Sequence, residues 1–157
     1  MQKLLVRGVL ATVLIIVLGL AIERWHVTDE ERVEAAWTEL VTALQEEDAG
    51  RMRARLHPEL RYSGARPVGK GDVADAMVAL ADFWEQVDRV VVATRQIEIQ
   101  AQPHVATSLA TTVLRFSWGD QMAIYRVRVQ VAWAADGDSW VARDIDVLEM
   151  TPGLFGG

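Results

Sequence analysis

Hydrophobic positions fall into three regimes along the chain. From Gly8 to Ile22 they are continuous: fifteen residues carry no charge, with Lys3 and Arg7 before them and Glu23 and Arg24 directly after. From Thr28 to Trp84 they recur at helical spacing. Beyond Val87 the period shortens, and long β-branched runs are broken by turn residues.

The continuous run predicts a membrane segment. Fifteen helical residues extend roughly 22 Å and nineteen are available counting from Leu4, against a hydrocarbon core of about 30 Å. The span works if Arg7 lays its guanidinium among the headgroups. Residues 1–24 are therefore expected to be a transmembrane anchor. The competing expectation is a cleaved secretory signal, with Gly19-Leu20-Ala21 as a small-x-small cleavage site. Basic residues precede the run and Asp29, Glu30 and Glu31 follow it, which keeps the N-terminus cytoplasmic and puts the remaining chain outside the cell membrane.

Thr28-Asp29-Glu30-Glu31 is a capping box. Behind it Val33, Ala36, Trp37, Leu40, Val41 and Leu44 make one apolar helical stripe. Asp48 caps a short second helix carrying Met52 and Leu56, which His57-Pro58 is expected to end, with His57 as a C-terminal cap. Leu60 to Ser63 is a short strand, Gly64 to Gly71 a loop, and Asp72 the cap of a third helix with Val73, Met77, Leu80 and Trp84 on one face. Four long strands follow at Val90–Gln102, Val105–Trp118, Gln121–Ala134 and Ser139–Glu149. They are punctuated by Pro103-His104, Gly119-Asp120 and Asp136-Gly137-Asp138. Residues 25–150 thus form one α+β domain, helices packed on a curved antiparallel sheet, and residues 151–157 a flexible tail.

Composition narrows the chemistry. Setting aside Lys3 and Arg7 leaves 14 basic side chains against 22 acidic, a net charge of −8, which repels phosphate backbones and argues against nucleic acid as a partner. The absence of cysteine excludes disulfides, thiolate zinc sites, thiol nucleophiles and lipoprotein attachment. His26, His57 and His104 are scattered, without metal-ligand spacing. Gly69-Lys70-Gly71 lacks the spacing of a phosphate loop, and no G-x-S-x-G surrounds Ser63. No metal and no cofactor are expected.

The stretch Leu40-Val-Thr-Ala-Leu-Gln-Glu-Glu-Asp48, then Leu56-His-Pro-Glu-Leu60-Arg-Tyr62, together with a closing strand of the type Trp140-Val-Ala-Arg-Asp-Ile145, resembles NTF2-like (SnoaL-like) domains over roughly residues 30 to 149. The resemblance implies a cone, with the helices closing one side of a bent sheet of about four long strands plus one short strand over a pocket. It also implies a choice of roles, since some members are ketosteroid isomerases or polyketide cyclases and others are binding or assembly modules. The isomerases' general-base aspartate aligns with Ser63 or Gly64, and their first-helix tyrosine with a position near Leu40. Neither match is made, so isomerase chemistry is not expected.

The remaining acid candidates are Asp144 and Asp146, and strand register decides their direction. If Trp133 opposes Trp140, both carboxylates enter the apolar face, where desolvation makes acid–base work conceivable. Shifted by one residue, Val131 opposes Val141, Val127 opposes Ile145 and Tyr125 opposes Val147. Arg128 then meets Asp144 and Arg126 meets Asp146 in an outer-face ion-pair ladder. Burying two unpartnered carboxylates costs several kcal/mol each, which favours the second register. Trp37, Tyr62, Trp84, Phe116, Tyr125 and Trp133 are the expected pocket-lining aromatics, or simply core. Ala106, Ser108, Ala110 and Thr112 share the face that carries Phe116 and taper it, leaving room for a ligand.

The sequence therefore predicts a single-pass membrane protein displaying a non-enzymatic binding or assembly module. Its partner would be a second copy, an envelope complex or an apolar small molecule. A pocket protein with SnoaL-type isomerase or cyclase activity is the alternative.

Overall fold

The computed structural model describes residues 27–153. The segment for which a membrane span or cleaved signal is expected, and His26, lie outside the described residues. Among the described residues no helix is long and apolar enough to cross a membrane.

Helix α1 (Asp29–Gln45) starts where the capping box places it: Thr28 Oγ1 accepts from Glu31 N–H at 3.3 Å and the Glu31 carboxylate accepts from Thr28 N–H at 2.9 Å. Its stripe Val33, Ala36, Leu40 and Ala43 is buried. Asp48 caps α2 (Ala49–Ala54) through Arg51 N–H, and Arg51 ties α2 back to α1 by ion pairs to Glu39 and Glu46. The second helix ends earlier than expected. Leu56, His57 and Pro58 already belong to strand β1 (Leu56–Gly64), and His57 Nδ1 accepts from Glu59 N–H instead of capping a helix. Pro58 is accommodated because β1 breaks its ladder between Leu56 and Arg61, where a missing N–H costs nothing.

The sheet has six strands, not about four long and one short. Beyond β1 these are β2 (Gly69–Asp72), β3 (Arg89–Gln102), β4 (Val105–Trp118), β5 (Gln121–Asp136) and β6 (Ser139–Pro152), in the order β2-β1-β6-β5-β4-β3, with α3 (Val73–Gln86) between β2 and β3. β2 falls in the stretch expected to be a loop. Its two glycines weaken any local strand signal, and it forms only by pairing with Arg61–Gly64 of β1. β1 also pairs parallel with β6, while every other pairing is antiparallel. β6 runs three residues past its expected end at Glu149, and Gly153 N–H donates to Ile124 O at 2.7 Å.

Neither expected register of the last hairpin is the observed one. A two-residue turn with Gly137 at φ 60° pairs Asp136 with Ser139 and Trp133 with Ala142. Arg143 is then extra, and beyond it Val131 pairs with Ile145 and Val129 with Val147. A second extra residue, Leu148, brings Arg128 opposite Glu149. The two bulges invert the alternation locally and add curvature.

The core lies between α1 and the concave face. Val33, Ala36, Leu40 and Ala43 cluster with Ala106 and Ala110 of β4, Val129, Val131 and Trp133 of β5, and Trp140 and Ala142 of β6. Trp133 is 2% exposed and donates its Nε1–H to Ser108 Oγ at 2.8 Å, a fully buried polar pair. Two further bonds hold α1 to β3: Trp37 Nε1–H donates to Thr94 Oγ1 at 3.0 Å, and Val92 N–H donates to Gln45 Oε1 at 2.8 Å. Replacing Trp133 by Phe removes a buried donor and some ring volume, so a loss of about 1–3 kcal/mol is expected. Urea denaturation should show a lowered midpoint at unchanged slope, and adding Ser108→Ala should cost less than the sum of the two single changes.

Candidate functional site

Helix α3 is apolar along one side, yet none of its residues is buried. It rests against β1, β2 and α2 at the rim of the sheet rather than on its middle. Its ends are held. At the start Asp72 and Asp75 form a reciprocal capping box, each carboxylate accepting the other's N–H at 3.0 Å. Near the end Trp84 Nε1–H donates to Leu44 O at 3.1 Å, and Phe83 meets Phe116 edge-on at 5.4 Å between centroids. The space left between α3, α1 and the concave sheet is a cavity of about 440 Å³.

The walls follow from strand alternation. β4 contributes Thr112 and Leu114, β5 Val127, Val129 and Val131, and β6 Ile145 and Val147; α1 adds Trp37, Leu40, Val41 and Leu44, and α3 adds Ala76, Ala79 and Leu80. Pro67 and Ala79 are exposed and mark the mouth, between the β1–β2 loop and α3. Among the described residues, the hydroxyls in the lining are those of Tyr62 and Thr112, and the indole N–H of Trp37 is taken by Thr94. No carboxylate, imidazole, ammonium or guanidinium of the described residues lines the cavity, and its volume falls in the range of small-molecule sites.

The expected lining aromatics divide. Trp37 and Tyr62 are in the wall. Trp84 latches α3 to α1, and Trp133 lies in the closed core beneath α1. Phe116 stacks on Tyr125 at 5.9 Å and on Trp118 at 5.5 Å, extending the concave face past the cavity. The tapering series resolves in the same way. Ala106 and Ala110 pack in the core with α1, Ser108 pairs with Trp133, and Thr112 alone of the four lines the cavity. What sequence reasoning missed is the aliphatic wall, since Leu60, Leu80, Val127 and Ile145 carry a pattern that core residues share.

Asp144 and Asp146 face away from the cavity, because their neighbours Ile145 and Val147 face into it. The expected ladder with Arg126 and Arg128 does not form. Asp144 sits opposite Arg61 of β1 and Ala132 of β5, Asp146 opposite Ser63 and Gln130, while Arg126 opposes Thr151. Ser63 Oγ donates to Asp146 Oδ1 at 2.5 Å, and Lys70 lies opposite Ser63 on the next strand, completing a polar groove on the convex face. Among the described residues, the only ion pairs are the two made by Arg51, and no group of His, Asp and Glu is placed to hold a metal ion. Ser63, at the position where the resemblance implies a general base, is thus on the convex side. Gly64, the other aligned position, has Val68 and Val147 within about 3 Å of where a Cβ would be.

No protein-family model matches the chain, and no curated protein sequence does. Solved structures do. A hexachlorocyclohexane dehydrochlorinase, LinA-type3 of Novosphingobium barchaimii, superposes with a TM-score of 0.65 at 9% identity, covering 80% of this chain and 90% of that one. A scytalone dehydratase-like protein of Novosphingobium aromaticivorans gives 0.69 at 12% identity over 78% and 86%. An NTF2-like protein of Cytophaga hutchinsonii gives 0.67 at 13% identity over 78% and 98%. The chain therefore has the NTF2-like fold, six strands and three helices among the described residues.

Two expectations follow for the mouth. A methyl group on Gly71 would stand 2.7 Å from Asp75 Cβ and from the Tyr62 hydroxyl, so Gly71→Ala should destabilise the fold by about 1–3 kcal/mol, seen as a lower melting temperature. The Asp72 carboxyl is held below its usual value, chiefly by the hydrogen bond from Asp75 N–H. A depressed folded value means that its contribution is complete above the unfolded value near 3.9 and is lost as pH falls through the folded one. Asp72→Asn should therefore flatten the decline of stability below about pH 4 in an acid titration followed by circular dichroism.

Proposed function

We propose that this protein is a non-catalytic binding module that takes a neutral, apolar small molecule into the cavity under α3. The observation that carries this reading is the lining. About 440 Å³ is lined by aliphatic and aromatic side chains, with two hydroxyls and no charged group among the described residues. Burying an uncompensated charge there would cost several kcal/mol, whereas apolar surface is favoured at roughly 25 cal/mol per Å².

Similar folds include enzymes, the dehydrochlorinase among them, and abstraction of a proton from carbon needs a positioned base. In this chain the candidate acids Asp144 and Asp146 stand on the opposite face of the sheet, so the reading is of binding without turnover. The charge-free segment Gly8–Ile22, with its preceding Lys3 and Arg7, supports a location at the cell membrane with the domain on the extracytoplasmic side. An anchor would keep the cavity near a lipid surface, a source of apolar molecules.

Calorimetric titration of the full chain in nanodiscs with naphthalene, with empty nanodiscs subtracted, tests the binding. One molecule per chain is expected. Val129→Phe on the sheet wall and Ala76→Trp on the helix wall, each checked for a retained melting transition, should each weaken binding at least tenfold. Asp144→Asn should leave it unchanged. Absence of naphthalene binding by the folded wild-type chain would overturn the reading.

A further inference from the structure

Two hydroxyls of β4 are buried on the concave face, and they differ in how they are satisfied. Ser108, 1% exposed, accepts a hydrogen bond from Trp133 Nε1–H at 2.8 Å and is fully explained by the core. Thr112, 4% exposed, lines the cavity, and among the described residues its Oγ1 has one hydrogen-bond partner, Val127 O at 3.5 Å. That distance is well beyond the 2.5–3.0 Å of an ordinary O–H···O bond. The carbonyl takes the Thr112 proton weakly and leaves the oxygen lone pairs without a donor. A poorly paired buried hydroxyl is unfavourable, and at this position a valine would fill the same shape. β4 otherwise presents Ala106, Ala110 and Leu114 on this face, so Thr112 is the one polar departure within the cavity wall of an otherwise apolar or internally paired series.

We infer that Thr112 is the polar anchor of the site. The ligand is a neutral, mostly hydrocarbon molecule carrying a hydroxyl that donates to Thr112 Oγ1, with its remaining surface against the aliphatic walls. The inference rests on the cavity being a small-molecule site. It adds a ligand class, an apolar alcohol or phenol, and a specificity-determining residue. The Tyr62 hydroxyl, the other polar group of the lining, lies over Gly71 beside the mouth. A half-buried group there discriminates less than one 4% exposed on an interior strand. Carboxylates are disfavoured, because no cation lines the cavity to meet one.

The test uses three probes of one shape on the full chain in nanodiscs, by calorimetry at neutral pH with empty nanodiscs subtracted: naphthalene, 2-naphthol and 2-naphthoate. Wild type should bind 2-naphthol roughly fivefold to tenfold more tightly than naphthalene, the worth of one net hydrogen bond, and 2-naphthoate at least tenfold more weakly than 2-naphthol. Thr112→Val should bring the naphthol-to-naphthalene ratio to about one without loss of naphthalene binding, and Thr112→Ser should restore the preference. Naphthalene binding with no preference for 2-naphthol overturns this inference alone. A preference that survives Thr112→Val, or is not restored by Thr112→Ser, also overturns it and assigns the hydroxyl to its Val127 contact only. Failure of all three probes on the folded chain overturns the inference together with the binding function beneath it.

Discussion

The concave side of this domain depends on how closely α1 approaches the sheet. Alanines stand on both sides of that contact, Ala36 and Ala43 on the helix against Ala106, Ala110 and Ala142 on the strands, none more than 5% exposed. Small residues let helix and sheet pack closely, and these join Leu40, Val131 and Trp133 in one buried cluster. Trp133 of β5 lies in the same cluster and donates its indole N–H to Ser108 on the neighbouring strand β4. With α1 seated there, α3 has no alanine-lined floor to descend onto. It is pinned by its cap at one end and by Trp84 at the other, and the gap beneath it is the cavity. The same contact thus closes the core and sets the size of the site.

The chemistry of that site is decided by β6. Trp140 and Ala142 point into the core, and unbroken alternation would carry Asp144 and Asp146 inward after them. The extra residue Arg143 inverts the pattern, so Ile145 and Val147 enter the cavity while both carboxylates join Arg61, Ser63 and Lys70 on the convex face. A single bulge separates an apolar cavity from a pocket with two buried acids. Bulges recur where a strand must re-aim its side chains, and this one acts on the residues that would otherwise give the fold a general base.

What remains inside is a wall of aliphatic and aromatic groups that carries two hydroxyls, those of Tyr62 and Thr112. In the binding role proposed above, such a lining would select by shape and by exclusion of charge, and it would gain most of its affinity from removing apolar surface from water. A poorly satisfied hydroxyl such as that of Thr112 would discriminate between ligands more sharply than it would add affinity, because a ligand without the matching donor leaves the hydroxyl no better paired.

Local chemistry in the chain determined the α+β class, the starts of the three helices among the described residues at Thr28, Asp48 and Asp72, and the hairpins at Pro103-His104, Gly119 and Gly137. Each of these rests on side chain-to-backbone bonds or positive-φ geometry within a few residues, so a one-dimensional pattern suffices to reveal them. Of the cavity wall, Trp37 and Tyr62 were legible as aromatic positions on a helix stripe and a short strand. Tertiary structure alone decided the rest. β2 exists because β1 offers it an edge, the second helix stops short of His57-Pro58 because Leu56 already pairs with Ala142 of β6, and two unpaired residues in β6 set the register of the last hairpin. Whether an apolar residue meets another side chain or an empty volume depends on helices distant in sequence. Leu80 over a cavity and Val33 in a core obey the same periodicity, and only the packing of α1 and α3 on the sheet tells them apart.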